Sequence, residues 1–182
     1  MEGQRNPLSV LAMSCGVALV MTAGSAHAYD GTINFSGQIV SQTCTVVLPG
    51  GSAIDVTLPS VSEQSLAESG KTAGAHAFQI SLTECEAGQK VRAYFEMGPS
   101  VDPETMMLKN TAPAGSAAKN VEVALTDVNG NLIPVGFTQT QAPVTVDTSG
   151  NATLTYVAEY YAVDAAAAGG VTSTVNFTIE YL

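Results

Sequence analysis

Cys44 and Cys85 are the residues of this 182-residue chain whose type and spacing promise covalent chemistry. An even pair of cysteines in an exported chain ordinarily joins. A bridge across the 41 positions between them stabilises a fold by roughly 4 kcal/mol in the chain-entropy picture. The third cysteine, Cys15, lies in an N-terminal apolar run whose preceding Ala12-Met13-Ser14 is a poor lipidation context. A zinc site needs three or four ligands, and no Cys-x-x-Cys spacing exists, so no metal centre is predicted.

Catalysis finds even less to work with. Beyond the leader the histidine is His76, with neither Ser-His-Asp nor Cys-His spacing around it, and it reads as a loop or strand-edge residue. Asp127-x-Asn129-Gly130-Asn131 resembles the opening of a calcium loop, yet its glycine comes early and Thr138 stands where the closing acid belongs. A hairpin turn is the better reading. The sequons at Asn151 and Asn176 matter only in a eukaryotic secretory route, and Asn176 falls inside a strand pattern. The chain is therefore predicted to be non-catalytic, without metal or cofactor.

What remains is a question of which elements carry these cysteines, and in which compartment. Residues 1–28 have the three-part form of an export signal. Arg5 supplies the positive start, Leu8 to Ala23 the apolar stretch, and Ala26-His27-Ala28 a small-x-small cleavage site. Cleavage after Ala28 makes Tyr29 the mature N-terminus; cleavage after Ala26 is the alternative. Of 182 residues, 28 leave, and 154 stay, enough for one domain. No later apolar run is long enough to cross a membrane.

The signal holds one acid, Glu2, and one base, Arg5, so its removal leaves the net charge of −10 unchanged. Lys71, Lys90, Arg92, Lys109 and Lys119 are then the only bases. So acidic a chain is repelled by phosphate backbones and anionic headgroups, which excludes nucleic acid and membrane surfaces as partners.

Period-two alternation marks Ile33-Asn34-Phe35-Ser36, Phe78 to Leu82, Val121 to Leu125, Leu154 to Val163 and Val175 to Tyr181. Turn chemistry separates these runs at Pro49-Gly50-Gly51-Ser52, Gly98-Pro99, Asn129-Gly130, Ser149-Gly150-Asn151 and Ala165 to Gly170. Ser62 to Gly70 has room for one helical turn. Short strands at this spacing predict an all-β Greek-key sandwich. The last run puts Val175, Phe177, Ile179 and Tyr181 on one face, as in a central strand, yet no strand follows to pair with it. An unpaired apolar edge is a template for another strand. At the other end, Tyr29 to Gly37 is a surplus alternating segment ahead of the body.

These features together resemble the pilins of chaperone–usher fimbriae, in particular type 1-like major subunits. The resemblance rests on Gly31-Thr-Ile-Asn-Phe-Ser-Gly37 leading through Ile39-Val40 to Cys44, and on Phe78-x-Ile80-x-Leu82-x-x-Cys85. It extends through Asn120-Val121, the turn at Gly130, Tyr156 to Ala162 and Phe177-x-Ile179-x-Tyr181. A penultimate tyrosine and a glycine fourteen residues from the end recur in that family; here they are Tyr181 and Gly169. The base that often stands in the family at Glu159 is absent.

The resemblance implies an incomplete immunoglobulin-like sandwich lacking its last strand. Residues 29–37 would be a donor extension and 38–182 the pilin domain. A periplasmic chaperone would lend a strand to the resulting groove and dock on Val175, Phe177, Ile179 and Tyr181. At an outer-membrane usher the extension of the next identical subunit would replace it, a form of β-augmentation. Tyr29, Gly31, Ile33, Phe35 and Gly37 would face the groove, Gly31 where it is shallow, with Ile33 and Phe35 contributing about 1.5–3 kcal/mol each. Tip adhesin or adaptor subunits would be further partners, and the destination the cell-surface fimbria. A minor tip or adaptor pilin of the same system is the near alternative. A carbohydrate-binding adhesin would show a further lectin domain or aromatic loop clusters, and the chain has no Trp.

Overall fold

Ile80, Leu82, Val91, Phe95 and Leu154 are at most 1% exposed, and their positions on alternating strands dictate the architecture of the body. The computed structural model describes residues 33–37, 43–49, 51, 53–137 and 141–182. The chain falls into two units, Met1–Gln38 and Ile39–Leu182. Of the first unit the described residues are 33–37, which are exposed and carry no strand assignment. The expected signal, Tyr29 and Gly31 lie outside the described residues.

The second unit is built of strands β1 Thr45–Val47, β2 Thr72–Thr83, β3 Lys90–Phe95, β4 Leu108–Lys109, β5 Lys119–Thr126, β6 Val144–Thr145, β7 Ala152–Ala167 and β8 Phe177–Tyr181. They form two antiparallel sheets, of order β1-β2-β7-β5-β4 and β6-β3-β8. Side chains alternate across each strand, so the odd residues of β3 and the even residues of β2 and β7 meet between the sheets. Tyr156 is the centre of this layer. Its ring packs edge-on against Phe95 at 5.1 Å and tilted against Phe78 at 5.9 Å. Its hydroxyl accepts from the Ala93 N–H at 3.0 Å, tying one sheet to the other. Burial pushes the Tyr156 phenol above the usual tyrosine range.

His76, read as a loop or strand-edge residue, lies within β2 opposite Ala158, just past a bulge and in the part of β2 that β1 does not pair. The bulge turns on Gly74 at φ +70°, where a Cβ would meet Tyr160 and Val61 at 3.0 Å. Ala165 to Ala167, read as connection, continue β7, because Lys119 pairs with Ala167 and the Asn120 side chain donates to the Ala165 carbonyl at 2.8 Å. β8 ends its sheet among the described strands, with no strand beyond it there. The helical turn expected after Ser62 is present as a 3-10 turn, Glu63–Leu66, with the Ser62 hydroxyl accepting from the Gln64 N–H at 3.3 Å.

Candidate functional site

The alternation of Val175-Asn-Phe-Thr-Ile-Glu-Tyr181 decides which of its groups face which way. Its odd side chains pack against the core, whereas Thr178 and Asn176 are exposed. The backbone alternates too. The Leu182 N–H donates to Lys90, and the Glu96 N–H to Asn176, so even residues of this segment bond to β3. In an antiparallel ladder the intervening residues turn their N–H and C=O groups the other way. For Phe177, Ile179 and Tyr181 that way is the outer edge of β8, which no strand covers among the described residues.

The opposite edge of the same sheet is closed. β6 pairs with Lys90 and Val91, and side chains take over beyond it. Tyr156 accepts from the Ala93 N–H, the Gln141 side chain donates to the Ala93 carbonyl at 3.1 Å, and the Gly136 N–H donates to Phe95 at 2.9 Å. One edge is sealed residue by residue and the other is left open.

Residues 53–59 carry the same alternation and pack on the same core. Ile54, Val56 and Leu58 turn inward and Ala53, Asp55, Thr57 and Pro59 are exposed. No backbone hydrogen bond joins 53–59 to a strand among the described residues. Ile54, Val56, Leu58, Val175, Phe177 and Ile179 all pack on the main core and yet remain partly exposed. Inward-facing apolar residues that are only half buried are the walls of a cleft. The sequence reading missed the 53–59 wall, although its period-two pattern is plain in Ala-Ile-Asp-Val-Thr-Leu-Pro.

The Cys44–Cys85 disulfide is formed, with 4.3 Å between Cα atoms, and the Cys44 N–H donates to the Tyr181 hydroxyl at 2.8 Å. A cavity of about 230 Å³ opens between Val61, Leu66, Val121, Tyr160, Gly169 and Val171. Gly169 is there because nothing larger fits: a Cβ would stand 2.3 Å from the Ala118 nitrogen and 2.5 Å from the Ala117 carbonyl carbon. Asn110 holds the following turn, donating to Ala118 and Gly170 and accepting from Ala112 and Thr172.

The outer face carries charge and the inner face none. Arg92 and Glu180, directly opposite on β3 and β8, form an ion pair at 2.6 Å. Thus the structure brings Val175, Phe177, Ile179, Tyr181, Cys44 and Cys85 into one site. Ile33 and Phe35, in the other unit, are 78% and 92% exposed, and Gly37 is exposed as well. Among the described residues no group of acidic, histidine or cysteine side chains is arranged to hold a metal ion.

The arrangement suits uptake of an extended strand, and known proteins of similar sequence give it a context. Residues 58–182 match the family described as FimA, type-1 fimbrial protein, A. The major fimbrial subunit SMF-1 of Stenotrophomonas maltophilia is 47% identical over 163 residues, 86% of this chain and 95% of that protein. The F17 fimbrial protein of Escherichia coli is 42% identical over 176 residues, 91% and 95% of the two chains. Among solved structures, the P pilus rod subunit PapA superimposes with a TM-score of 0.60 at 16% identity, over 76% of this chain and 99% of that one. That likeness identifies the sandwich as immunoglobulin-like.

Proposed function

The chain belongs to the type-1 fimbrial protein family and is a structural, non-enzymatic pilin, and we propose that its open β8 edge is the acceptor groove for residues 29–37 of the next copy. The observation that carries this is the half-buried inner face of β8 beside an unpaired backbone edge. Burying that face removes apolar area from water, and a strand laid along the edge satisfies the outward N–H and C=O groups of Phe177, Ile179 and Tyr181. Ile33 and Phe35 supply the apolar side chains. Both are exposed on a segment without a strand of its own, as a donor must be.

The rest of the pathway follows from the same deficit. An edge like this aggregates if left open, so a periplasmic chaperone covers it until an outer-membrane usher exchanges the chaperone strand for a subunit's extension. Residues 1–28 direct export and are removed after Ala28, 29–37 form the extension, and 38–182 form the pilin domain. The mature protein then takes its place in the surface fimbria as a polymer of identical subunits, alongside tip or adaptor subunits.

The test is a full-length chain with a second copy of Tyr29–Gly37 appended after Leu182 through a flexible linker. This variant should be a monomer that unfolds at markedly higher denaturant than the parent and no longer polymerises. A variant no more stable than the parent sinks the reading.

A further inference from the structure

We infer that Asn129 is a site of spontaneous covalent modification, at which the Gly130 backbone nitrogen displaces the side-chain amide, and that Asp127 holds the reaction back. Neither β8 nor residues 29–37 take part.

Asparagine is a thermolabile residue, most so where the next residue leaves the backbone nitrogen unobstructed. Of the asparagines in the chain only Asn129 is followed by glycine. A Cβ at Gly130 would meet nothing within 4 Å, so the approach is open. Asn129, Gly130 and Asn131 are all exposed, in the loop between Thr126 and its bridge partner Leu132. Asn110 and Asn120, by contrast, hold their amides on backbone groups: Asn110 on Ala112, Ala118, Gly170 and Thr172, Asn120 on Ala165.

The reaction needs only water. Gly130 N forms a bond to Asn129 Cγ and its proton passes to solvent. The Cγ–Nδ2 bond breaks, and the nitrogen takes up a proton and leaves as ammonia. Water then opens the five-membered imide at either carbonyl. One opening gives aspartate, and the other gives isoaspartate, with the main chain running through Cβ. No oxidant, metal or enzyme enters, so product accumulates with the age of the chain.

The turn opposes this. Asn129-Gly130 suits a two-residue hairpin, but the loop closes around three residues, Val128, Asn129 and Gly130. The Asp127 N–H donates to the Asn131 carbonyl at 3.0 Å, and the Gly130 N–H to the Asp127 carbonyl at 3.0 Å. The attacking nitrogen is thus already engaged. One Asp127 carboxylate oxygen accepts from the Asn129 and Asn131 N–H groups at 2.8 and 2.9 Å, the other from the Asn131 side chain at 2.8 Å. Swinging Gly130 N toward Cγ means undoing this staple. The bonds from Asn131 hold the Asp127 carboxyl below the usual carboxylate range, so the product places a second negative charge beside an ionised one.

A second turn supplies the control. In Asp147-Thr148-Ser149-Gly150-Asn151 the Gly150 N–H donates to the Asp147 carbonyl at 3.1 Å, and the Asp147 N–H to Asn151 at 2.9 Å. The Asp147 carboxylate accepts from the Ser149 and Asn151 N–H groups at 2.8 and 2.9 Å. Serine carries no amide, so this turn does not require one. Asn129→Ser therefore removes the chemistry and keeps the fold of the loop.

Full-length parent, Asn129→Ser and Asp127→Ala chains are held in warm, mildly alkaline buffer, then mapped by proteolysis and mass spectrometry. The parent should slowly gain aspartate and isoaspartate at 129, and Asn129→Ser should gain neither at that position. Asp127→Ala should convert on the order of tenfold faster, as loss of the bonds that hold the turn implies. Intact Asn129 in both the parent and Asp127→Ala overturns the site. Equal or slower conversion in Asp127→Ala overturns the role of Asp127. Should that variant not fold, the parent unfolded in urea takes its place, and a rate no faster than in the folded parent has the same meaning.

Discussion

The hydroxyl of Tyr181 accepts a hydrogen bond from the backbone N–H of Cys44 at 2.8 Å, joining the last strand to the residue that opens the body. Cys44 is itself bonded to Cys85 at the end of β2, so three distant segments meet at one point. Tyr181→Phe keeps the ring and leaves the partly buried Cys44 N–H without its acceptor. A loss of about 1 kcal/mol is expected, read as a lower urea midpoint with an unchanged slope.

The disulfide itself should weigh more. Closing 41 residues restricts the unfolded chain by about 4 kcal/mol, and for a domain of this size that corresponds to a fall on the order of 10 °C in Tm on reduction. Calorimetry of the Cys44→Ser, Cys85→Ser double variant checks this. A Tm within a degree or two of the parent would show that the bridge constrains little.

Gly169→Ala tests packing without backbone strain. The added methyl would lie 2.3 Å from the Ala118 nitrogen, and backbone cannot yield as a flexible side-chain end can. The close approach is held on both sides, by Ala118 N–H to Gly170 and Gly170 N–H to Ser116. Destabilisation of about 3 kcal/mol or more is expected, with loss of soluble protein on expression.

Much of this was legible in the residues. Even–odd alternation located β2, β5, β7 and β8, and two cysteines in an exported chain predicted their bridge. What the alternation of Phe177, Ile179 and Tyr181 does not contain is its neighbour: an apolar inner face looks the same in a central strand and in an edge strand with a partner still to come. The 53–59 wall was legible and overlooked because it lies between Pro49 and Pro59 in a stretch that reads first as turn. Ala165 to Ala167 misled for a different reason, since alanine says nothing of strand and only pairing with Lys119 holds it there.

Glu122 makes stability depend on pH. It is 7% exposed in β5, its carboxylate accepting from the Thr105 hydroxyl at 2.7 Å, with Lys109 opposite and Asp102 near. Burial pushes its carboxyl up from 4.5, the Asp102 charge adds to this, and Thr105 and Lys109 oppose it. A carboxyl raised on folding binds its proton more tightly in the native state. Its penalty is therefore absent below the unfolded value, grows as pH rises through the folded one, and is complete above it. Glu122→Gln, which keeps an acceptor for Thr105, should be more stable than the parent at pH 7. The advantage should vanish below about pH 4.5. Equal stability at both pH values would remove Glu122 as the cause.

The groove wall at 53–59 permits a test that separates giving a strand from receiving one. Val56 turns inward between Ile54 and Leu58 and is partly exposed. An aspartate there puts a charge where an incoming strand would have to bury it, at a cost of several kcal/mol unless it takes up a proton. The extension of the same chain is untouched. Val56→Asp should thus be able to donate and unable to accept, and Phe35→Asp the reverse. Each variant alone should form no fibres, but the pair mixed should form complexes of two, in which Val56→Asp gives its extension to Phe35→Asp. Size-exclusion chromatography with mass spectrometry of the mixture reads this. If Val56→Asp alone forms fibres like the parent, the 53–59 segment is no part of the acceptor site.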